Sequence, residues 1–237
     1  MSARAVLLVG GKGSRLRPFT ATFPKPLMPL DDVPILEVLL RQLVKSGITR
    51  ITLALGHLGE LVQAYLSHRP ELLDLMELDY VWEDEPLGTA GALSLVDGLD
   101  QPFLVMNGDV LTDLDFAALL EEHVRSGAAL TIAAHDKEVP IDLGVMHVAD
   151  DGRLTAYIEK PIEHFYVSMG VYAYSPSTLV HIGHAERIDF PDLVLRLLAA
   201  GQTVRAYRND ALWLDIGRPD DYALAQELFL ERRDDLT

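Results

Sequence analysis

The chain has 237 residues, 49% of them hydrophobic and 24% charged, and 20 Lys+Arg against 36 Asp+Glu leave a formal charge of −16. That length is ample for a sizeable buried core, and that charge argues against a general nucleic-acid or anionic-membrane surface. The absence of cysteine excludes a disulfide scaffold, a thiolate zinc site and a cysteine nucleophile, and it fits a reducing cytoplasm. No apolar run approaches the roughly 18 residues that cross a bilayer. The apolar residues 5–9 run directly into Gly10-Gly11-Lys12-Gly13 and read as a buried strand rather than a signal peptide.

Apolar runs then alternate with amphipathic stretches, the pattern of an α/β protein with a mainly parallel sheet. A helix is expected over 34–46, with Pro34 in its first turn, Ile35, Val38, Leu39 and Leu43 on one face, and Gly47 as the stop. Strand 51–55 and helix 58–66 follow, then strand 78–82, a Pro/Gly loop and a small helix at about 89–96. Strand 103–106 ends at Asn107-Gly108-Asp109. Asp113 is expected to cap a helix whose buried face carries Phe116, Leu119, Leu120 and Val124.

From residue 128 the rhythm turns strand-rich, with runs at 130–134, 144–148, 154–158 and 167–174 and a hairpin turn at Asp150-Asp151-Gly152. Helices near 176–182 and 190–200, strand 204–207 and a helix from 219 to about 232 complete the pattern. No linker, low-complexity stretch or repeat interrupts it. A single domain over 1–237 is expected, with a nucleotide-type front half (1–127) and a β-rich rear half (128–237) packed on the same sheet.

Directly after the first strand, Gly10-Gly11-Lys12-Gly13-Ser14-Arg15-Leu16-Arg17-Pro18 and then Pro24-Lys25-Pro26-Leu27 combine glycines with cations. Glycines at a strand's carboxyl end let backbone N–H groups approach phosphate closely, although a glycine loop alone is as readily a tight turn. The dinucleotide fingerprint fails because position 16 is leucine, which disfavours a Rossmann oxidoreductase. The P-loop fails because Gly13 is followed by Ser14 without a lysine. Lys12, Arg15, Arg17 and Lys25, gathered beside those glycines in so acidic a chain, point to a polyanion such as a triphosphate.

The string Gly-Gly-x-Gly-Ser-Arg-Leu-x-Pro, with Pro-Lys-Pro-Leu after it, resembles the signature of the sugar-1-phosphate nucleotidyltransferases. The likeness continues through Glu85-Pro86-Leu87-Gly88-Thr89-Ala90-Gly91, Asn107-Gly108-Asp109, Glu159-Lys160-Pro161 and Trp213-Leu214-Asp215-Ile216-Gly217. Each string is weak alone; together, in the family's order, they span nearly the whole chain. The resemblance implies a Rossmann-like nucleotide-diphospho-sugar transferase fold, a mixed, mainly parallel sheet flanked by helices. It also implies the reaction of an NTP with a sugar 1-phosphate to give an NDP-sugar and pyrophosphate. A phosphate monoester is already a nucleophile, so catalysis rests on positioning and charge neutralisation rather than on a nucleophilic side chain.

On that resemblance, Arg15 holds the departing β,γ-phosphates and Lys25 bridges the α-phosphate and the sugar phosphate as the catalytic pair. Nucleotide contacts are expected from Leu8, Gly10, Gly11, Gly13, Ser14, Arg15, Glu83, Pro86, Gly88, Thr89 and Gly108. Sugar-phosphate contacts are expected from Lys25, Gly144, Glu159, Lys160, Ser168 and Trp213, the last being equally well a core aromatic. Ser168 stands where several relatives carry asparagine, which costs an amide contact. Asp109 and Asp215 each follow an apolar stretch, where a lone aspartate is ordinarily a cap or turn. Here the resemblance makes them hard oxygen ligands for Mg²⁺.

Nucleotide choice turns on Glu83, five positions before Gly88, where thymidylyl- and some uridylyltransferases carry glutamine. A carboxylate only accepts hydrogen bonds, which suits guanine's N1–H and N2–H₂ and repels uracil's carbonyls. The string Pro86-Leu87-Gly88-Thr89-Ala90-Gly91 also most resembles the mannose-1-phosphate and heptose-1-phosphate guanylyltransferases, and that resemblance makes GTP with mannose 1-phosphate or heptose 1-phosphate the leading pair. Uridylyl or thymidylyl transfer to glucose 1-phosphate or N-acetylmuramate 1-phosphate is the alternative, and a loop one residue longer hands the role of Glu83 to Asp84 or Glu85. Outside these stand a cytidylyltransferase for a non-sugar alcohol and an inactive sugar-nucleotide-binding regulator, which would usually have lost one of Arg15, Lys25, Asp109 or Asp215. His57 is left without a role, since the mechanism needs no general base, and the histidines show no metal-binding spacing. The helix at 219–232 is followed by no hexapeptide-repeat β-helix, so no acetyltransferase activity and a monomer or homodimer are expected.

Overall fold

The computed structural model describes residues 3–236. Strand β1 (Arg4–Leu8) leads into the glycine- and proline-rich loop, which 3₁₀ turns at Ser14–Leu16, Phe19–Ala21 and Lys25–Leu27 fold back on itself. A short hairpin of β2 (Pro29–Leu30) and β3 (Val33–Pro34) opens into helix α1 (Ile35–Lys45). Then come β4 (Arg50–Leu55), α2 (Gly59–Ser67), α3 (Pro70–Leu73) and β5 (Glu77–Trp82). Next are α4 (Gly88–Gly91), a 3₁₀ turn at Ala92–Leu95, β6 (Phe103–Asn107), β7 (Val110–Thr112) and α5 (Phe116–Ser126). The rear of the chain supplies β8 (Leu130–Pro140), β9 (Val145–Val148), β10 (Leu154–Ile158) and β11 (Ile162–Tyr174). A 3₁₀ helix at Pro176–His181, α6 (Phe190–Ala199), β12 (Val204–Arg208), β13 (Trp213–Asp215), α7 (Pro219–Glu231) and α8 (Arg233–Leu236) follow.

Seven strands form the central sheet in the order β12-β8-β11-β6-β1-β4-β5. Only β11 runs against its neighbours; the other pairs are parallel. The chain lays β4 and then β5 on one side of β1 before returning to place β6 on the other. Such a reversal opens a crevice at the carboxyl ends of the strands. Both the glycine loop after β1 and Asn107-Gly108-Asp109 after β6 lie there, with Leu8 and Asn107 in register.

Alternation along the strands feeds two cores. Leu7, Leu104, Met106, Val171 and Ala173 pack with Leu36, Leu39, Leu43, Val62 and Phe229 from α1, α2 and α7. Val6, Phe103, Val105, Tyr172 and Tyr174 pack on the opposite face with Leu93, Leu193 and Leu197. Each fully buried leucine is worth roughly 1.5–3 kcal/mol relative to exposure. The row Leu36, Leu39, Leu40 and Leu43, fully buried, thus anchors α1 far more firmly than its propensity does.

The structure corrects the reading around α5. Its cap is Asp115, whose carboxylate accepts from the Ala118 N–H at 2.9 Å, rather than Asp113. Asp113 instead accepts from the Leu212 N–H at 2.7 Å and pairs with Arg232 at 2.8 Å. The buried face carries Phe116, Leu119 and His123, while Val124 is 58% exposed. Helix α2 starts one residue later than expected because Leu58 takes a left-handed φ of 59°.

The rear half differs in its sheet. β8 and β11 run well beyond their apolar stretches, pairing from Ile162 with Pro140 down to Ser168 with Ala134. β9 and β10 leave the central sheet and form a two-stranded sheet of their own, turning through Gly152 at φ +82°. β13 pairs antiparallel with β7, placing Asp215 opposite Val110 and so beside Asp109. Among the described residues no helix is long and apolar enough to cross a membrane.

Candidate active site

The glycine loop is held by its own hydrogen bonds. Gly13 adopts φ +57°, its carbonyl accepts from the Leu16 N–H at 2.9 Å and from the Thr20 hydroxyl at 2.6 Å. A side chain at Gly13 would crowd Lys25 Cβ at 3.3 Å, so the loop lies directly over that lysine. Gly11 and Ser14 are exposed, and no described residue stands within 4 Å of a Cβ at Gly11, leaving its backbone open to a ligand. Arg15 is exposed and makes no hydrogen bond or ion pair with a described residue. Exposed, unpaired guanidinium beside free backbone N–H groups is an arrangement suited to phosphate.

The second wall is the turn after β6. The Gly108 N–H donates to the Leu8 carbonyl at 3.0 Å, and a side chain at Gly108 would meet Val9 Cγ1 at 2.5 Å. Only glycine lets the turn approach β1 so closely. This brings Asp109 to Lys25, whose buried ammonium donates to Asp109 Oδ2. Asp109 Oδ1 is buried without a hydrogen-bond partner among the described residues.

Asp215 completes the cluster. The Ile216 N–H donates to the Asp109 carbonyl at 3.1 Å, tying β13 to the turn. A Cβ at Gly217 would lie 3.3 Å from both Arg15 Nη1 and Asp215 Oδ2, so the arginine and the carboxylate share one side of the cleft. Burial, and then the charge of Asp109, push the Asp215 carboxyl above its usual range, while Lys25 and Arg15 pull it down. Two carboxylates that repel one another, one with an unpartnered buried oxygen, fit a hard divalent cation. Among the described residues no third carboxylate, histidine or cysteine completes a ligand set, so such a cation would take its remaining ligands from phosphate and water.

Two cavities reach this cluster, and a third lies beyond it. One of about 350 Å³ is lined by Thr89, Asn107, Ser168, Tyr172, Trp213 and Asp215. A second of about 660 Å³ is lined by Arg15, His135, Lys137, Trp213, Asp215 and Arg218 among others. Trp213 is the partition between them, its indole N–H donating to the Met169 carbonyl at 2.8 Å and its ring lying 5.4 Å from that of His135. It is therefore a pocket wall that also packs against the core. Ser168 is fixed by donating to the Tyr172 hydroxyl at 3.2 Å.

The third cavity, about 310 Å³, lies at the carboxyl ends of β1, β4 and β5 and contains Gly10, His57, Glu83 and Pro86. Glu83 is half-buried; burial raises its carboxyl above the usual range, and Oε2 accepts from the Leu87 N–H at 2.8 Å. Its Oε1 lies 2.7 Å from where a Gly10 Cβ would stand. Gly88, at φ +79°, presses its α-carbon on the Ile188 carbonyl, to which a Cβ would come within 2.6 Å.

Gly144, Glu159 and Lys160 sit elsewhere, around the β9–β10 hairpin. The Tyr157 hydroxyl packs on Gly144 and donates to Glu159 at 3.2 Å, and all three line neither cavity that contains Trp213. Lys160 holds a left-handed φ of 45°. Asn107, Tyr172, His135, Lys137 and Arg218 also line these cavities, although the sequence did not single them out as site residues. Arg218 directly follows the Trp-Leu-Asp-Ile-Gly string and was within reach, whereas Lys137 stands in a charged run with no local signal.

The family model described as nucleotidyl transferase matches residues 4–232. The chain is 35% identical over 233 residues to the mannose-1-phosphate guanylyltransferase catalytic subunit beta of Drosophila pseudoobscura pseudoobscura, covering 96% of this chain and 62% of that protein. It is 33% identical to the protein of the same name from Danio rerio, covering 96% and 65%. The chain thus spans a little under two thirds of the length of these relatives. HddC from Yersinia pseudotuberculosis superposes with a TM-score of 0.73 at 26% identity, over 96% of this chain and 99% of that one. HddC complexed with GMP-PN superposes with a TM-score of 0.71, at the same identity and coverage.

Proposed function

The chain belongs to the nucleotidyl transferase family, and from that premise we propose that it transfers a guanylyl group from GTP to a sugar 1-phosphate, releasing pyrophosphate. The observation that carries this reading is the convergence of Arg15, Lys25, Asp109 and Asp215 at the carboxyl ends of β1 and β6. The names of the relatives and the nucleotide bound to HddC support guanine over the pyrimidines.

In this reading an oxygen of the sugar phosphate attacks the α-phosphorus in line, and the bond to the bridging oxygen of pyrophosphate breaks. Backbone N–H groups from Gly11 to Ser14 and the Arg15 guanidinium hold the departing β,γ-phosphates. Lys25 holds negative charge at the α-phosphate, where charge is redistributed. Asp109 and Asp215 would hold a divalent cation, Mg²⁺ by donor chemistry, which supplies charge neutralisation to the phosphates when bound. Thr89, Ser168 and Trp213 border the space for the sugar. Gly144, Glu159 and Lys160 stand apart from that space, around the β9–β10 hairpin, so they act on the sugar only if the hairpin moves toward it; the left-handed Lys160 is the kind of backbone outlier that functional sites retain.

We read the chain as one domain with nucleotide-binding and sugar-phosphate-binding halves, acting in the cytoplasm as a monomer or homodimer. The test is pyrophosphate release from a matrix of GTP, ATP, UTP, dTTP and CTP against mannose, glucose and heptose 1-phosphates. Release that needs both GTP and a sugar phosphate supports the proposal. No release from any pair overturns it in favour of a sugar-nucleotide-binding regulator.

A further inference from the structure

The guanine-accepting carboxylate of Glu83 has a neighbour that the chemistry above leaves unused. β4 and β5 are adjacent parallel strands with Leu55 opposite Trp82, and the Glu83 N–H donates to the Leu55 carbonyl at 2.8 Å. Glu83 therefore leaves β5 beside the point where Gly56 and His57 leave β4, in strands about 4.8 Å apart. Both line the same cavity, and both close on Gly10. The His57 N–H donates to the Gly10 carbonyl at 3.2 Å, and Glu83 Oε1 faces the Gly10 α-carbon.

The turn that carries His57 is tightly built. Leu58 sits at φ 59°, and a side chain at Gly59 would meet Leu55 Cβ and the Trp82 ring, each at 2.9 Å. A non-glycine residue in that region is strained, so the surroundings fix the turn. His57 is thereby held at the cavity although its own side chain is exposed and has no hydrogen-bond partner among the described residues.

Guanine's readable edge is N1–H and N2–H₂, two donors, followed by the O6 acceptor. Glu83 satisfies the donors and cannot satisfy O6, since a carboxylate only accepts. Of the other polar side chains in the cavity, Asp84 is likewise an acceptor, and Lys12 belongs to the loop that faces phosphate. We propose that His57 is a specificity residue that donates a ring N–H to O6 of the guanine base while Glu83 accepts from N1–H and N2–H₂. The pair also rejects adenine, whose 6-amino group would face the donor and whose N1 lone pair would face the carboxylate. This inference rests on the guanylyl reading.

The experiment is equilibrium binding by calorimetry to the full chain, for wild type, His57→Phe and His57→Gln, with melting temperatures as the fold control. The probes are GTP, ITP, UTP and 6-thio-GTP, which keeps N1–H and N2–H₂ but replaces O6 by a poor acceptor. His57→Phe should weaken GTP and ITP, which both keep O6, by roughly threefold to tenfold. It should leave 6-thio-GTP within about twofold, and His57→Gln should restore part of the GTP loss. Equal losses for GTP and 6-thio-GTP place His57 on ribose or phosphate and overturn the proposal, as does no loss for either. A wild-type protein that binds UTP more tightly than GTP brings down the guanylyl reading itself, a result distinct from the other two.

Discussion

Lys25 donates its ammonium group to Asp109 Oδ2, joining the phosphate loop to the turn after β6 across 84 residues of sequence. The lysine side chain is only 9% exposed, so a buried cation is held against a carboxylate whose other oxygen, Oδ1, lacks a partner among the described residues. Lys25→Ala removes a charge located where phosphoryl charge is redistributed, and should lower kcat by on the order of 10²-fold with a smaller effect on nucleotide affinity. Arg15→Ala removes an exposed guanidinium that meets the phosphates already in the ground state, so turnover and nucleotide binding should both suffer. Steady-state kinetics with each substrate varied separates the two. A Lys25→Ala enzyme altered only in KM would make the lysine a ground-state binding group.

Asp109→Asn and Asp215→Asn should each abolish turnover while leaving the fold intact, because each keeps the side-chain volume and removes one of two charges that face one another. Excess chelator should do the same to wild type, and added Mg²⁺ should restore it. The check is pyrophosphate release alongside circular dichroism and melting temperature. Full activity in either variant, or in chelator, would remove the cation from the site.

How much of this was legible in the sequence follows from where burial leaves a mark. The parallel front half was readable because β1, β4 and β6 are buried on both faces and so are mostly apolar runs that lead into glycines. The outer halves of β8 and β11 were not, since Asp136, Lys137 and Glu138 lie in a ribbon open to solvent, where no apolar periodicity is needed. β7 and β13 are three residues each, too short for a pattern, yet their pairing sets Asp215 beside Asp109. Asp113 and Asp115 both precede the same apolar face, and only tertiary contacts with Leu212 and Arg232 decide which one caps α5. Arg15, Lys25, Asp109 and Asp215 were found through their strings; Lys137, Arg218 and the shared cavities that group Ser168, Trp213 and Asp215 were not.

Glu83→Gln should narrow or invert the nucleotide preference. One oxygen of residue 83 must accept the Leu87 N–H, as Oε2 does at 2.8 Å. A glutamine keeps that bond only by giving its single oxygen to Leu87, which turns the NH₂ group into the cavity. A donor then stands where guanine presents N1–H and N2–H₂ and where uracil and thymine present carbonyls. With hydrogen bonds to charged acceptors worth about 1.5–3 kcal/mol, relative kcat/KM for GTP against UTP should shift roughly tenfold to a hundredfold. An unchanged ranking would move the base contact to another residue of the loop.

A last prediction concerns stability and lies far from the cleft. His123, 1% exposed, has Nδ1 at 2.8 Å from the Thr131 hydroxyl and Nε2 at 3.0 Å from the Ser175 hydroxyl. The Ser175 hydroxyl donates to the Ala128 carbonyl at 2.7 Å, so it must accept from Nε2–H, and Nδ1 is left to accept from Thr131. The ring is thus held neutral, and burial lowers its pKa below the ordinary value near 6.5. The unfolded chain therefore binds this proton more readily than the folded one. Stability from His123 is present above about pH 6.5 and is lost as pH falls from there toward the depressed folded value. His123→Gln can offer an oxygen to Thr131 and an N–H to Ser175 at every pH and does not titrate. Urea midpoints from pH 8 to pH 5 should show wild type losing ground to the glutamine variant only below about pH 6.5. A difference between the two proteins that stays flat across that range would mean His123 is not coupled to folding through its proton.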